Sequence, residues 1–272
     1  MNRPYTVGAT VQAQQAGAVA LAIASLPESF TPAAPGSVPD VQVLHGTPGW
    51  VTEAIEAITS GIRAVVVVSP APEDTGPLQA VQQNLAAVQG NAAVVVLDQK
   101  WASNPAMVPA AEAVRSMAGR AAMLDSVATA ALGTDPGELF ADHLAAVVRL
   151  TGPLDRLSIL HRGPQGYTAT AVLANGAPAA LQGVVSNARP AQAVITVLTD
   201  DGGVTVSLPE PVAAWPATVK ATGAQGDVLL PTLYESAHRS TWRRLKEHLD
   251  AGTSPSDPAR FAALTESIAA LT

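Results

Sequence analysis

The residues best placed for chemistry lie just past runs of strand-forming residues. Lys100 follows the apolar run Ala92–Leu97, at the end of what reads as a buried parallel strand. Open α/β sheets hold their ligands at that edge, so Lys100 is either a catalytic or substrate-contacting lysine or a solvated loop lysine. Trp101 beside it is either a wall for the C–H face of a sugar-like molecule or a packing residue at a domain junction. Asp142 and His143 are adjacent in a helical stretch, and both types can carry a proton. The other reading of His143 is a hydrogen-bonded helix histidine. Ser69 and Pro70 end a second buried run, Ala64–Val68, and are candidate cofactor contacts. Ser69 lacks the glycine frame of a nucleophile elbow.

Other chemistries are excluded early. The chain has no cysteine, so no disulfide, thiolate nucleophile or cysteine-based zinc site is expected. His45 and His161 have no partners at metal-ligand spacing, and no metal is expected. Gly163-Pro164-Gln165-Gly166 reads as a strand connection rather than a phosphate cradle, because a strand and not a helix follows it.

The elements that must position these residues fall into two halves. A short strand at Val41–Val43 and the turn His45–Gly49 precede a helix over Trp50–Ser60, with Thr47 as N-cap and Pro48 at the first helical position. Gly61 ends it. The unbroken β-branched run Ala64–Val68 predicts a strand covered on both faces. A helix over Gly76–Val88 ending at Gly90, the strand Ala92–Leu97, and a helix from Pro105 or Pro109 through Met117 complete a βαβ rhythm. After a helix over Leu139–Leu150, strands follow in succession: Leu154–Leu160, Tyr167–Ala174, Ala180–Ser186 and Ala193–Leu198. Asp201-Gly202-Gly203 turns into Val204–Leu208. A Pro-rich loop over Pro209–Gly226 and two helices, Leu229–Leu249 and Asp257–Leu271, close the chain. The expected fold is an α/β Rossmann-like domain with a truncated parallel sheet over residues 1–120. An α+β domain with a large open, mainly antiparallel sheet follows over residues 121–272.

Composition bounds the partners. Of 272 residues, 48% are hydrophobic but only 14% are charged, and the net charge is −7. An acidic, charge-poor chain lacks the basic footprint of a nucleic-acid binder. The run His238-Arg239 to Arg243-Arg244-Lys246 reads as a solvated helix face. Ala18–Ser25 is too short to span a bilayer, no signal peptide is visible, and a cytoplasmic location is expected. So few charges for so much apolar surface point to self-association through a broad face.

The opening of the chain lacks a feature. A dinucleotide fold begins strand, G-x-G-x-x-G, helix. Here the opening reads Tyr5-Thr6-Val7-Gly8-Ala9-Thr10-Val11, and G-x-G occurs nowhere in the sequence. The first strand-turn-helix should therefore be shortened or absent. Glu28 is the candidate for the acid that grips the ribose hydroxyls.

Gly61–Pro70 resembles the second-half strand of the Gfo/Idh/MocA oxidoreductases, a buried run ending in a small residue and proline. Val94–Ala102 resembles the next strand and its Glu-Lys-Pro motif, with Gln99 in place of Glu and Trp101 in place of Pro. Ala141–Leu144 through Gly152 resembles the helix that carries the family's acidic and histidine residues. Thr199–Val206 resembles a hairpin of its large sheet, and Thr241–Gly252 with the closing helix its C-terminal pair. The resemblance implies NAD or NADP as hydride carrier and a sugar, cyclitol or other polyol as substrate. It also implies that Lys100 polarises the substrate oxygen and that Asp142 or His143 exchanges the proton. One helical step is about 100° of rotation, so Asp142 and His143 cannot both face one cleft.

Three readings follow. In the first, the chain is a degenerate family member with no cofactor, an accessory or non-catalytic subunit that pairs through its C-terminal sheet with itself or with a catalytic homologue. In the second it is an active NAD(P)-dependent oxidoreductase using Lys100 and Asp142 or His143. In the third it is a carbohydrate- or metabolite-binding module.

Overall fold

The computed structural model describes residues 3–89, 93–117, 120–210 and 215–271. Gly90, Ala92 and Gly119, which enter the expected helix end, strand start and domain boundary, lie outside the described residues, as does the 211–214 part of the Pro-rich loop. Two compact units result. The first is Met1–Gln99 with His238–Glu266, the second Lys100–Ala237 with Ser267–Thr272. The division thus differs from a cut at residue 120, because the end of the chain returns to the first unit.

The first unit holds a parallel sheet of β1 (Tyr5–Ala9), β2 (Phe30–Pro32), β3 (Val41–His45), β4 (Ala64–Val68) and β5 (Val94–Asp98), in the order β2-β1-β3-β4-β5. Every residue of β4 and β5 is buried, as their unbroken valine runs require. Helices α3 (Trp50–Thr59) and α4 (Gly76–Gln89) follow β3 and β4. The N-cap of α3 is Gly49 at φ 99°, without a side-chain bond, so the expected Thr47–Pro48 start is corrected by two residues. The carboxylate of Glu73, from the loop after β4, accepts the amides of Gly49 and Val51 instead, at 3.1 and 3.5 Å.

The opening strand is present and paired on both sides. Shortening appears elsewhere. The helix after β1 is split into α1 (Val11–Ala16) and α2 (Val19–Ala24). At the split, a Cβ on Gly17 would lie 2.7 Å from Val68 Cγ2, and Ala18 takes φ 45°. The common doubly wound order has six strands, 3-2-1-4-5-6. Here residues 33–40 lead from β2 directly into β3, so the outermost strand beyond β2 is missing. That edge is blunt: β2 has three residues, and its last, Pro32, has no amide to donate.

The closing helices α7 (Ala237–Ala251) and α8 (Asp257–Ala269) complete this unit. Trp242, Leu245 and Leu249 join the core around Phe30, Val43 and Val66, with Phe30 edge-on to Trp242 at 4.9 Å. Asp98 accepts from His238 Nδ1 at 2.5 Å and from Thr241 at 3.1 Å. Asp257 accepts from the Leu97 amide and from Arg244. Burial pushes the Asp257 carboxyl up, but Arg244, the amide bond and Arg260 bring it below the usual carboxylate range. The cationic run is therefore more than a solvated face: His238 and Arg244 anchor α7 to β5, while Arg243 and Lys246 pair along the helix.

The second unit begins with α5 (Met107–Ser116), β6 (Ala121–Ala130) and α6 (Pro136–Thr151). Asp135 caps α6 by accepting the amides of Gly137 and Glu138. Then come β7 (Leu154–Gly163), β8 (Gly166–Leu173), β9 (Pro178–Val185), β10 (Gln192–Thr199), β11 (Gly202–Pro209), β12 (Thr218–Gly223) and β13 (Gly226–Leu229). The sheet order is β13-β12-β11-β10-β6-β9-β8-β7. The expected simple meander is corrected in two respects: β6 inserts between β10 and β9 and runs parallel to β9, and β12 and β13 extend the sheet through the stretch expected as a Pro-rich loop, so that the helix expected from Leu229 begins at Ala237.

Inward residues alternate along β8 to β11 and the second half of β6, Leu124, Ala128, Leu181, Ile195 and Val206 among them. Helix α6 packs against β6, β8 and β9, and α5 against β11. The opposite face carries Thr170, Val172, Thr196 and Thr205 half-buried, with Met123, Val184 and Leu198 exposed. No helix among the described residues is long and apolar enough to cross a membrane.

Candidate functional site

Three carboxyl side chains of the second unit, those of Glu210, Glu138 and Asp142, gather near Lys100. Its ammonium lies 3.6 Å from Glu210 Oε1, just past β11, and 5.2 Å from the centre of the Trp101 ring. Glu138 and Asp142 sit one turn apart on α6, a spacing that puts both on the same face. Burial pushes the Asp142 carboxyl up to about 7, with Glu138 and Glu210 adding to the rise and Lys100 opposing it. A carboxyl with that pKa is divided between its acid and base forms at neutral pH, the condition for general acid–base work. Trp101 is fully buried, so its ring backs Lys100 rather than presenting an open wall to a ligand.

His143, one step along α6, goes the other way. It is completely buried, and both ring nitrogens are engaged, Nε2 with Ser126 at 2.5 Å and Nδ1 with Tyr167 at 2.6 Å. Burial lowers its pKa to about 3, so it is neutral at physiological pH. The geometry brings together Lys100 and Asp142, and it sets His143 among sheet residues. That placement is the hydrogen-bonded helix histidine, the other of the two readings the sequence left open.

Ser69 and Pro70 lie in the first unit, at the end of β4. Ser69 is exposed at φ 52°, a strained conformation for a residue with a side chain. Its amide donates to the Asp98 carbonyl at 3.0 Å. Pro70 lies over Gly46, where a Cβ would come within 2.3 Å of Pro70 Cα. The loops after β3 and β4 are thus zipped together, with Gly46 donating to Val68 and Ala71 donating to Gly46.

The fit of a dinucleotide can be tested at the turn after β1. The pyrophosphate of such cofactors sits on free amides at a helix N-terminus. Here the Thr10 hydroxyl accepts the Ala13 amide at 3.2 Å, and the Thr10 amide donates to the Val43 carbonyl. The helix that follows has only six residues. Gly8 is not an open glycine, since a Cβ there would meet Pro39 at 3.0 Å. Glu28 precedes β2 and therefore lies at the wrong end of that strand. The residues past its far end are Ala33, Ala34, Pro35 and Gly36, none able to grip a ribose. The residues present do not fit the cofactor.

Among the described residues no group of three His, Cys, Asp or Glu side chains could hold a metal ion. Sequence reading placed the family's earlier helix acid on Glu138 and missed Glu210, Ser126 and Tyr167. Those three come close only through the sheet register.

The chain matches no protein-family model and no curated protein by sequence. Solved structures do match. A variant of a 3-ketoreductase from Actinomadura kijaniata, in complex with TDP-benzene and NADP, superposes with a TM-score of 0.69 at 12% identity, covering 97% of this chain and 96% of that one. UDP-N-acetylglucosamine 3-dehydrogenase from Acidithiobacillus ferrooxidans gives 0.65 at 15% identity, covering 100% and 97%. A dehydrogenase from Chromobacterium violaceum gives 0.65 at 13% identity, covering 100% and 95%. The fold is that of the Gfo/Idh/MocA-type oxidoreductases, matched over the full length of the chain at low identity.

Proposed function

We propose that this chain is a non-catalytic or accessory protein of the Gfo/Idh/MocA fold, in which the dinucleotide cradle is not built and a small-molecule pocket persists around Lys100 and Asp142. The observation that carries this reading is the Thr10 hydroxyl on the Ala13 amide, at the turn where a pyrophosphate would need free donors. The missing ribose acid after β2 supports it. The pocket's lysine and carboxyls suit a polyol or sugar-like molecule, whose hydroxyls both accept and donate. The outer face of the eight-stranded sheet, with threonines and valines and with Met123, Val184 and Leu198 exposed among a few charged residues such as Asp125 and Lys220, suits pairing with a second copy or with a catalytic homologue.

A second reading has one observation in its favour. Asp142 near neutrality beside Lys100 is the pairing an active oxidoreductase on a polyol would use, with the cofactor held in some mode other than the usual cradle. Titration of the purified chain with NADH and NADPH, read by fluorescence and thermal shift, separates the two. Absence of saturable binding, together with a dimer or larger species in light scattering, is the expected result. Micromolar binding of either nucleotide overturns the accessory reading. Lys100→Ala is expected to abolish polyol binding, and unchanged binding removes the pocket assignment.

A further inference from the structure

The hairpin that joins β8 to β9 carries the one Asn-Gly pair of the sequence, Asn175-Gly176. The loop is tight: the Leu173 amide donates to the Ala177 carbonyl, and the Gly176 amide donates to the Leu173 carbonyl, both at 2.8 Å. Gly176 takes φ 88°, the left-handed conformation that closes a three-residue hairpin loop. The Asn175 side chain is exposed to water, yet it is bonded at both ends. Its Oδ1 accepts the Ala177 amide at 3.0 Å, and its Nδ2 donates to the carbonyl of Ala121, the first residue of β6, also at 3.0 Å. The Asn175 carbonyl accepts from the Arg120 guanidinium at 2.7 Å. Asn175 therefore fastens the start of β6 to the β8–β9 turn, three residues before β6 begins its pairing with β9 at Leu124 and Ala179.

Asparagine followed by glycine has a reaction of its own. The Gly176 nitrogen, giving up its proton, bonds to Asn175 Cγ. The Cγ–Nδ2 bond breaks, ammonia leaves, and a five-membered imide forms. Water then opens the imide at one carbonyl or the other, giving aspartate or isoaspartate. Asparagine and water become a carboxylic acid and ammonia, and nothing is oxidised or reduced. Glycine favours the attack because no Cβ crowds its nitrogen and its backbone turns freely. The closed hairpin opposes it. The Gly176 proton is committed to Leu173, and Asn175 Cγ must lose its bonds to both Ala177 and Ala121 before it can swing onto that nitrogen. We propose that Asn175 is a modification site gated by folding: inert while the β8–β9 turn is closed, and converted by water to aspartate or isoaspartate when the turn opens. The product does not restore the fastening. A carboxylate only accepts, so it has no proton for the Ala121 carbonyl. Isoaspartate also adds a backbone carbon to a loop whose length sets the strand register.

The test incubates the full chain at neutral pH, folded and in guanidinium, and follows the peptide carrying Asn175 by mass spectrometry, with aspartate and isoaspartate told apart by electron-transfer fragmentation. Reaction through local opening scales with the open fraction, so the folded chain is expected to convert at least about tenfold more slowly than the unfolded one. Arg120→Ala removes one restraint on the turn and leaves the Asn-Gly pair intact. It is expected to speed conversion several-fold in the folded chain and to leave the rate in guanidinium unchanged. Asn175→Asp, which stands in for the product, is expected to lower the thermal midpoint by about 2–4 °C, the size of one lost net hydrogen bond. Equal rates folded and unfolded, no conversion in guanidinium, or a slower rate in folded Arg120→Ala overturns the proposal. If Arg120→Ala does not fold, the comparison of the folded and unfolded parent decides. An Asn175→Asp chain with the parent's midpoint overturns the fastening of β6.

Discussion

Asp98 Oδ2 lies 2.5 Å from His238 Nδ1, a bond between residues 140 positions apart that holds the first turn of α7 against the end of β5. Thr241 donates to the other oxygen of the same carboxylate. Removing this acceptor takes one buried hydrogen bond from each of these two side chains. Asp98→Ala is expected to cost about 2–3 kcal/mol, read as a lowered urea midpoint with an early change in tryptophan fluorescence as Trp242 loosens. An Asp98→Ala variant as stable as the parent would mean that α7 is held by its apolar face alone.

Asp142 makes the stability of the second unit depend on pH. Its carboxyl is raised by burial to about 7, whereas in the unfolded chain it titrates at about 4. Between those values the folded protein binds the extra proton. Its contribution is most favourable below about pH 4 and declines as pH rises to 7. His143 has the opposite sense: burial lowers it to about 3, so its contribution is complete above about pH 6.5 and is lost as pH falls toward 3. Asp142→Asn is expected to raise the unfolding midpoint at pH 8 and leave it little changed at pH 4. Equal midpoints for parent and variant at pH 8 would show that the carboxyl is not raised.

Gly46 tolerates no side chain. A Cβ there meets the backbone of Pro70 at 2.3 Å and the Ser69 carbonyl oxygen at 2.6 Å, and backbone cannot swing aside as a flexible side chain would. Gly46→Ala is expected to destabilise the first unit by about 3 kcal/mol, measured as a fall in thermal midpoint. A loss below about 0.5 kcal/mol would mean that the two loops part easily.

Thr10→Ala tests the cap without restoring a cradle. Loss of the hydroxyl is expected to cost about 1 kcal/mol, while isothermal titration with NADH still shows no saturable heat. Nucleotide binding gained by this single change would mean that the Thr10 side chain alone had been blocking the turn.

The valine runs of β4 and β5 and the amphipathic stretch of α3 were legible because each carries its own period. Strand β6 was not, since Ala121–Ala130 mixes exposed and buried positions near its start and becomes a central strand only through pairing with β9 and β10. Strands β12 and β13 hid in a stretch rich in glycine and proline. The helix rotation between Asp142 and His143 was readable as a constraint. Which of the two would face Lys100 was not, because Glu210 and Tyr167 arrive from sequence-distant strands.

The return of the last helices to the first unit governs how the polypeptide can be made. Trp242, Leu245 and Leu249 belong to a core whose other members are synthesised before residue 100. A ribosome adding roughly 5–20 residues per second needs roughly 7–28 seconds to make the intervening Lys100–Ala237. For that interval the nascent sheet has bare valines where α7 will lie, and their burial waits until the final turns leave the exit tunnel.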